Sequence, residues 1–145
     1  MFFMQSEHDM QSEFFYKIRL LEKEEPILKL LHAVPNQATW KNSVKYTKEG
    51  MRKGWPDCSL PVRSACGSFN SLYIEFKTDK GRLSVEQVEY LNLLTANGAM
   101  CVVCRDADVA LDLTMEYLKE TGEPDKPLPD RLPRSLKMDI IVCDN

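Results

Sequence analysis

The sequence predicts an α/β fold, a mixed central sheet flanked by helices. Three observations carry that prediction. The segments run helix, strand, strand, helix, strand, helix. One of the strands, Leu72-Tyr73-Ile74-Glu75-Phe76-Lys77, alternates polar and apolar residues with period two. Apolar stripes at helical spacing, each opened by a capping residue, lie on either side of it. The 145 residues suit one domain, and a chain of this size buries roughly 68–70% of its unfolded surface. Residues 1–122 read as that domain and 123–145 as a Pro-rich basic C-terminal tail.

Ser6 with Asp9 forms a capping box that opens a helix over about residues 7–23, with Met10, Phe14, Ile18 and Leu21 as its apolar stripe. Glu7 and Gln11 extend that stripe toward the N-terminus, and polar groups on an inward face call for a partner. Pro26 suits the first turn of a short second helix, and Leu30–Val34 reads as a brief strand. Residues 39–49 read as helical with Gly50 as the stop, and Gly54-Trp55-Pro56 as a break before a strand over 57–62. Arg63–Ser71 reads as a hairpin loop before the strand 72–77, and Thr78–Leu83 as a turn. Ser84 caps a helix to about Asn97, with Val88, Leu91 and Leu94 inward and Gly98 closing it. A strand over 99–104 and a helix over 107–120 carrying Val109, Leu113, Met115 and Leu118 follow, and then Pro124, Pro127, Pro129 and Pro133 in a stiff, extended tail.

Composition sets bounds. No apolar run approaches the ~20 residues that span a bilayer, and Met1–Met4 is too short for the apolar core of a signal peptide; a cytoplasmic protein is expected. The five cysteines are an odd number, so they cannot all pair. Cys101 and Cys104 form a CxxC, but residues three apart on a strand point to opposite faces and cannot grip one zinc ion. The net charge of −3 is unevenly spread. Lys41, Lys45, Lys48, Arg52 and Lys53 stand against Glu49 alone, and Lys126, Arg131, Arg134 and Lys137 against Asp130. Such segregation suits a basic contact surface beside an acidic, metal-collecting site; a solvated helix face and tail are the plainer reading.

The chemistry concentrates at Asp57, Glu75 and Lys77. If the loop after residue 62 makes a hairpin, the two strands are antiparallel neighbours and both carboxylates come together. Glu75 and Lys77 share one face of their strand, while Leu72, Ile74 and Phe76 anchor the other in the core. Adjacent carboxylates repel unless a proton or cation intervenes. A hard ion such as Mg²⁺ or Mn²⁺ resolves that and can activate water against a phosphodiester, and a neighbouring lysine can position the water or stabilise developing charge.

The linked series Gly54-Trp55-Pro56-Asp57, Tyr73-Ile74-Glu75-Phe76-Lys77 and Gly81-Arg82-Leu83-Ser84-Val85-Glu86-Gln87 resembles the VRR-NUC (virus-type replication-repair nuclease) branch of the PD-(D/E)XK nucleases. The resemblance extends to Glu7–Gln11, His32–Asn36 and Gly98–Leu118. It implies a restriction-endonuclease-like core in which Asp57, Glu75 and the Phe76 carbonyl bind the metal and Lys77 acts on the attacking water. Glu7 would add an acidic ligand, directly or through water, and Gln87 would line the site. Both also have local explanations, Glu7 at a helix N-terminus and Ser84-x-x-Gln87 as a capping box. His8 and His32 read as surface or structural residues. Trp55 is bulkier than the residue usual before Pro-Asp, and Cys58 replaces a usual aliphatic, which touches specificity and no reacting group. The resemblance implies a Mg²⁺- or Mn²⁺-dependent endodeoxyribonuclease, similar to short phage or bacterial proteins that act as homodimers on branched or flap DNA such as four-way (Holliday) junctions. Lys41, Lys45, Lys48, Arg52 and Lys53 are its candidate DNA contacts. The alternatives are a catalytically silent DNA-binding module that keeps the fold and a small interaction domain whose charged strand face is only solvated.

Overall fold

The computed structural model describes residues 5–35, 42–65, 67–119 and 138–141. Helix α1 (Glu7–Leu21) opens on the expected capping box: the Asp9 N–H donates to Ser6 Oγ, and the Ser6 N–H to Asp9. A 3-10 turn, Pro26–Leu30, leads into strand β1 (His32–Ala33), much shorter than the sequence suggests. Helix α2 (Ser43–Lys48) precedes β2 (Cys58–Leu60) and β3 (Leu72–Phe76). Helix α3 (Val85–Ala96) crosses over to β4 (Met100–Cys104), and α4 (Ala107–Lys119) follows.

The sheet order is β1-β2-β3-β4-β5. Strands β1, β2 and β3 are antiparallel neighbours, β3 and β4 are parallel across α3, and β4 pairs antiparallel with a fifth strand, β5 (Met138–Ile141). This is the mixed sheet expected, with one strand more. The sequence pattern predicts no strand beyond residue 104; the structure returns the end of the presumed tail to the sheet, while residues 120–137 lie outside the described residues.

Helices α1 and α4 cover one face. Met10, Phe14 and Ile18 meet Ala110, Leu113 and Tyr117 over Leu72, Ile74, Phe76, Val102 and Cys104. An ion pair from Lys17 to Asp108 ties the two helices together at the surface. The Tyr117 hydroxyl donates to the Val62 carbonyl at 2.6 Å and so holds the loop after β2. Helix α3 lies on the other face, with Leu91 buried against Ala99, Cys101 and Val103. Cys101 and Cys104 therefore belong to opposite layers, as strand geometry requires.

One inward residue is corrected. Val88 is 41% exposed, whereas Leu91 is buried and Leu94 half-buried. At its first turn α3 meets the polar Glu75 through Gln87, and Leu91 is its buried residue. Gln87 rather than Val88 faces inward there. Among the described residues no helix is long and apolar enough to cross a membrane.

Candidate functional site

The antiparallel register sets Cys58 opposite Ile74, which places Asp57 opposite Glu75 just beyond the end of β2. Their carboxylates are interlocked with the backbone. The Asp57 N–H donates to Glu75 Oε2 at 3.2 Å, and the Phe76 N–H donates to Asp57 Oδ2 at 2.8 Å. The Asp57 carbonyl accepts from the Val34 N–H at 2.8 Å, which fastens the edge strand to the site.

Phe76 shows why a carbonyl is left over. Its N–H points toward the β2 side, and in an antiparallel pair a residue's N–H and C=O point the same way. The residue opposite by register is Pro56, which has no N–H to give. The Phe76 carbonyl therefore has no ladder donor there and faces the carboxylates.

Glu75 is 2% exposed and Lys77 9%. Lys77 Nζ stands 3.8 Å from Glu75 Oε1 and 3.9 Å from Glu7 Oε1, so one ammonium is shared by acids from a strand and from the start of α1. Glu7 is half-buried and, with Asp57, lines a cleft of ≈ 310 Å³.

Gln87 joins its two readings. Its Oε1 accepts from the Ser84 N–H at 2.8 Å, completing the capping box of α3, and its Nε2 donates to Glu75 Oε1 at 2.7 Å. The cap fixes which end of the amide is oxygen, and so the NH₂ end must face the carboxylate. Helix capping and site geometry use the same side chain.

Electrostatics follow from this crowding. Burial, then the neighbouring Asp57, pushes the Glu75 carboxyl up to about 8, against the opposing effects of Lys77 and the Asp57 N–H. Burial also raises Asp57, with Glu7 adding to it and the Phe76 N–H and Lys77 opposing. Without a cation, the pair thus holds a proton at pH values where carboxylates are ordinarily ionised.

The donors that converge are all oxygens: Asp57, Glu75 and the Phe76 carbonyl. Among the described residues no cluster of three or more His, Cys, Asp or Glu side chains is arranged as a complete metal nest. The set fits an ion that takes one or two carboxylates and keeps several waters, as Mg²⁺ does, better than one that demands an all-protein cage.

Three features have no signature in the sequence. Gly54 (φ +91°) presses on the first turn of α3: a Cβ there would stand 2.7 Å from Glu86 Cβ and 3.0 Å from the Gln87 nitrogen. Arg105 donates to the carbonyls of Thr78 and Gly81 and lies 4.0 Å from Asp139 on β5, clasping the turn that follows Lys77. Trp55 sits edge-on to Tyr73 at 6.0 Å and tilted against Tyr90 at 5.3 Å, two residues before Asp57. The close approach at Gly54 yields a prediction. Gly54→Ala should cost about 1–3 kcal/mol through strain and overpacking and should draw Gln87 away from Glu75; a thermal melt matching wild type would refute the close approach.

The basic residues are spread more widely. Lys45, Lys48, Arg52 and Lys53 are exposed, and Lys53 pairs loosely with Glu86 at 3.9 Å. Lys41 lies outside the described residues. His8 and His32 are exposed, His32 hydrogen-bonded to the Leu30 carbonyl.

No family model matches the chain, and no curated protein does. A solved structure described as a "VRR_NUC domain protein" matches with a TM-score of 0.64 at 20% identity, over 79% of this chain and 89% of that one. The chain has the fold of a VRR_NUC domain protein, the fold that its motif series resembles.

Proposed function

We propose that the protein is a Mg²⁺- or Mn²⁺-dependent endonuclease that hydrolyses DNA phosphodiester bonds. The observation that carries this reading is the convergence of half-buried Asp57 with buried Glu75 and Lys77, with Gln87 donating to Glu75. A structural role alone gives no reason to bury two carboxylates side by side at the cost of raising both their pKa values. Asp57, Glu75 and the Phe76 carbonyl would hold the ion, and Glu7 would contribute directly or through water. A divalent ion bound there supplies a water acidified enough to attack and neutralises charge on the phosphate. Lys77 holds the attacking water and stabilises the developing charge. Gln87 keeps Glu75 oriented, and the backbone N–H of Phe76 fixes Asp57.

The reading extends to a homodimer acting on branched DNA. A small domain has little surface for both chemistry and shape recognition, and a two-fold dimer presents two sites related as the strands of a four-way junction are. The test is incubation of the protein with supercoiled, linear, flap and four-way-junction DNA in Mg²⁺, Mn²⁺ and EDTA, with light scattering for mass. Cleavage of junctions at paired symmetric positions by a two-chain species, abolished by EDTA, is expected; metal-independent cleavage, or none on any substrate, defeats the proposal.

Lys41, Lys45, Lys48, Arg52 and Lys53 are read as phosphate-binding residues. Neutralising Lys41, Lys45 and Lys48 together should flatten the slope of log affinity against log salt on duplex DNA by about 0.9 for each phosphate left without its lysine. An unchanged slope returns them to a solvated face.

A further inference from the structure

Beside the site, between α2 and β1, lies a second and larger cleft of ≈ 740 Å³. Val34, Pro35 and Met51 give it an apolar floor, and Tyr46 and Trp55 give it two aromatic rings. Its charged lining among the described residues is one acid, Glu49, and one base, Arg52. Val34 and Pro35 also wall the narrower cleft that holds Glu7 and Asp57, so the two clefts adjoin across one ridge.

We propose that this cleft takes the base of an unpaired nucleotide adjoining the bond that is cut; the proposal rests on the reading of the site as a nuclease. Three features select that occupant. The cleft is of a size that takes one small ligand, within the roughly 300–1,000 Å³ of such sites. Its two rings offer the stacking faces on which unpaired bases are held. Trp55, two residues before Asp57, packs against Tyr73 and Tyr90, so its ring is held in place a short way along the chain from the carboxylates. A base within a duplex is covered on both faces by its neighbours and cannot enter. The cleft therefore favours substrates in which a strand leaves the duplex beside the cut, as at a flap or the mouth of a branch.

The experiment uses the full chain in EDTA and a labelled single strand of about a dozen nucleotides, on the scale of known single-strand sites, with one abasic residue moved along it. A single position should be sensitive, with binding weakened about tenfold, in the range of base–aromatic stacking. Tyr46 is exposed on α2 and outside the core, so Tyr46→Ala tests the subsite without threatening the fold. The variant should lose about tenfold on the intact strand and nothing further when the abasic residue occupies the sensitive position. Tyr46→Phe should retain binding. A flat scan, no measurable binding, or additive losses overturn the proposal. Failure to cut any DNA in Mg²⁺ while one abasic position remains sensitive would instead overturn the nuclease reading.

Discussion

Glu75→Ala is expected to abolish cleavage of junction DNA and to weaken Mg²⁺ and Mn²⁺ binding, and Asp57→Ala to do the same, because each removes a hard oxygen ligand. Lys77→Ala is expected to separate the two properties. Its ammonium lies 3.8 Å from Glu75 Oε1, where it stabilises the carboxylate and repels an incoming cation. Without it, metal affinity should hold or tighten while cleavage falls by at least about 10²–10³-fold, the cost of losing one preorganised electrostatic group. Calorimetric metal titration beside single-turnover cleavage reads both, with circular dichroism to verify folding. A Glu75→Ala protein that still cuts, or a Lys77→Ala protein that loses metal together with activity, is incompatible with these roles.

Much of this site is legible in local sequence because its parts are local. Ser6 with Asp9, and Ser84 with Gln87, declare the starts of α1 and α3 through spacing alone, and both capping boxes form. The period-two strand sets Glu75 and Lys77 on one face with no tertiary information, and the hairpin then brings Asp57 opposite Glu75. What escapes is whatever depends on another segment's arrival. Gly54 in Gly-Trp-Pro reads as a turn; that it must lack a side chain follows only once α3 docks on it. Arg105 is a lone arginine after a strand until the turn at Thr78–Gly81 and β5 close around it. Strand β5 is four residues beyond a proline-rich stretch, too short to show a pattern, and is made a strand by the free edge of β4. Val88 fails for a related reason: helical periodicity gives the face of α3 but not the polar Glu75 that its first turn meets through Gln87.

The raised carboxyl of Glu75 makes stability itself a readout of the site. Its pKa of about 8, against an ordinary 4.5, means that the fold binds this proton more tightly than the unfolded chain. The stabilisation is complete below about pH 4.5 and is lost as pH climbs through 8. At ~1.4 kcal/mol for each pKa unit, ionising Glu75 should cost the metal-free fold several kcal/mol by alkaline pH. Asp57, raised by the same burial, reinforces the direction. In EDTA, Tm should therefore decline between pH 5 and pH 9. Mg²⁺ or Mn²⁺ must displace the proton to bind, so their stabilisation should grow over the same interval and release protons measurable in buffers of different ionisation enthalpy. Glu75→Gln keeps a hydrogen-bonding side chain of the same shape without the charge. It should lose most of the pH dependence and gain little from metal, while its NH₂ end meets one of the two N–H donors that Glu75 accepts from and lowers stability by a pH-independent amount. A wild-type Tm that is flat with pH in EDTA, or a Glu75→Gln protein that declines as steeply as wild type, would show that this carboxyl is ionised in the metal-free fold and that the repulsion at the centre of the site is relieved in some other way.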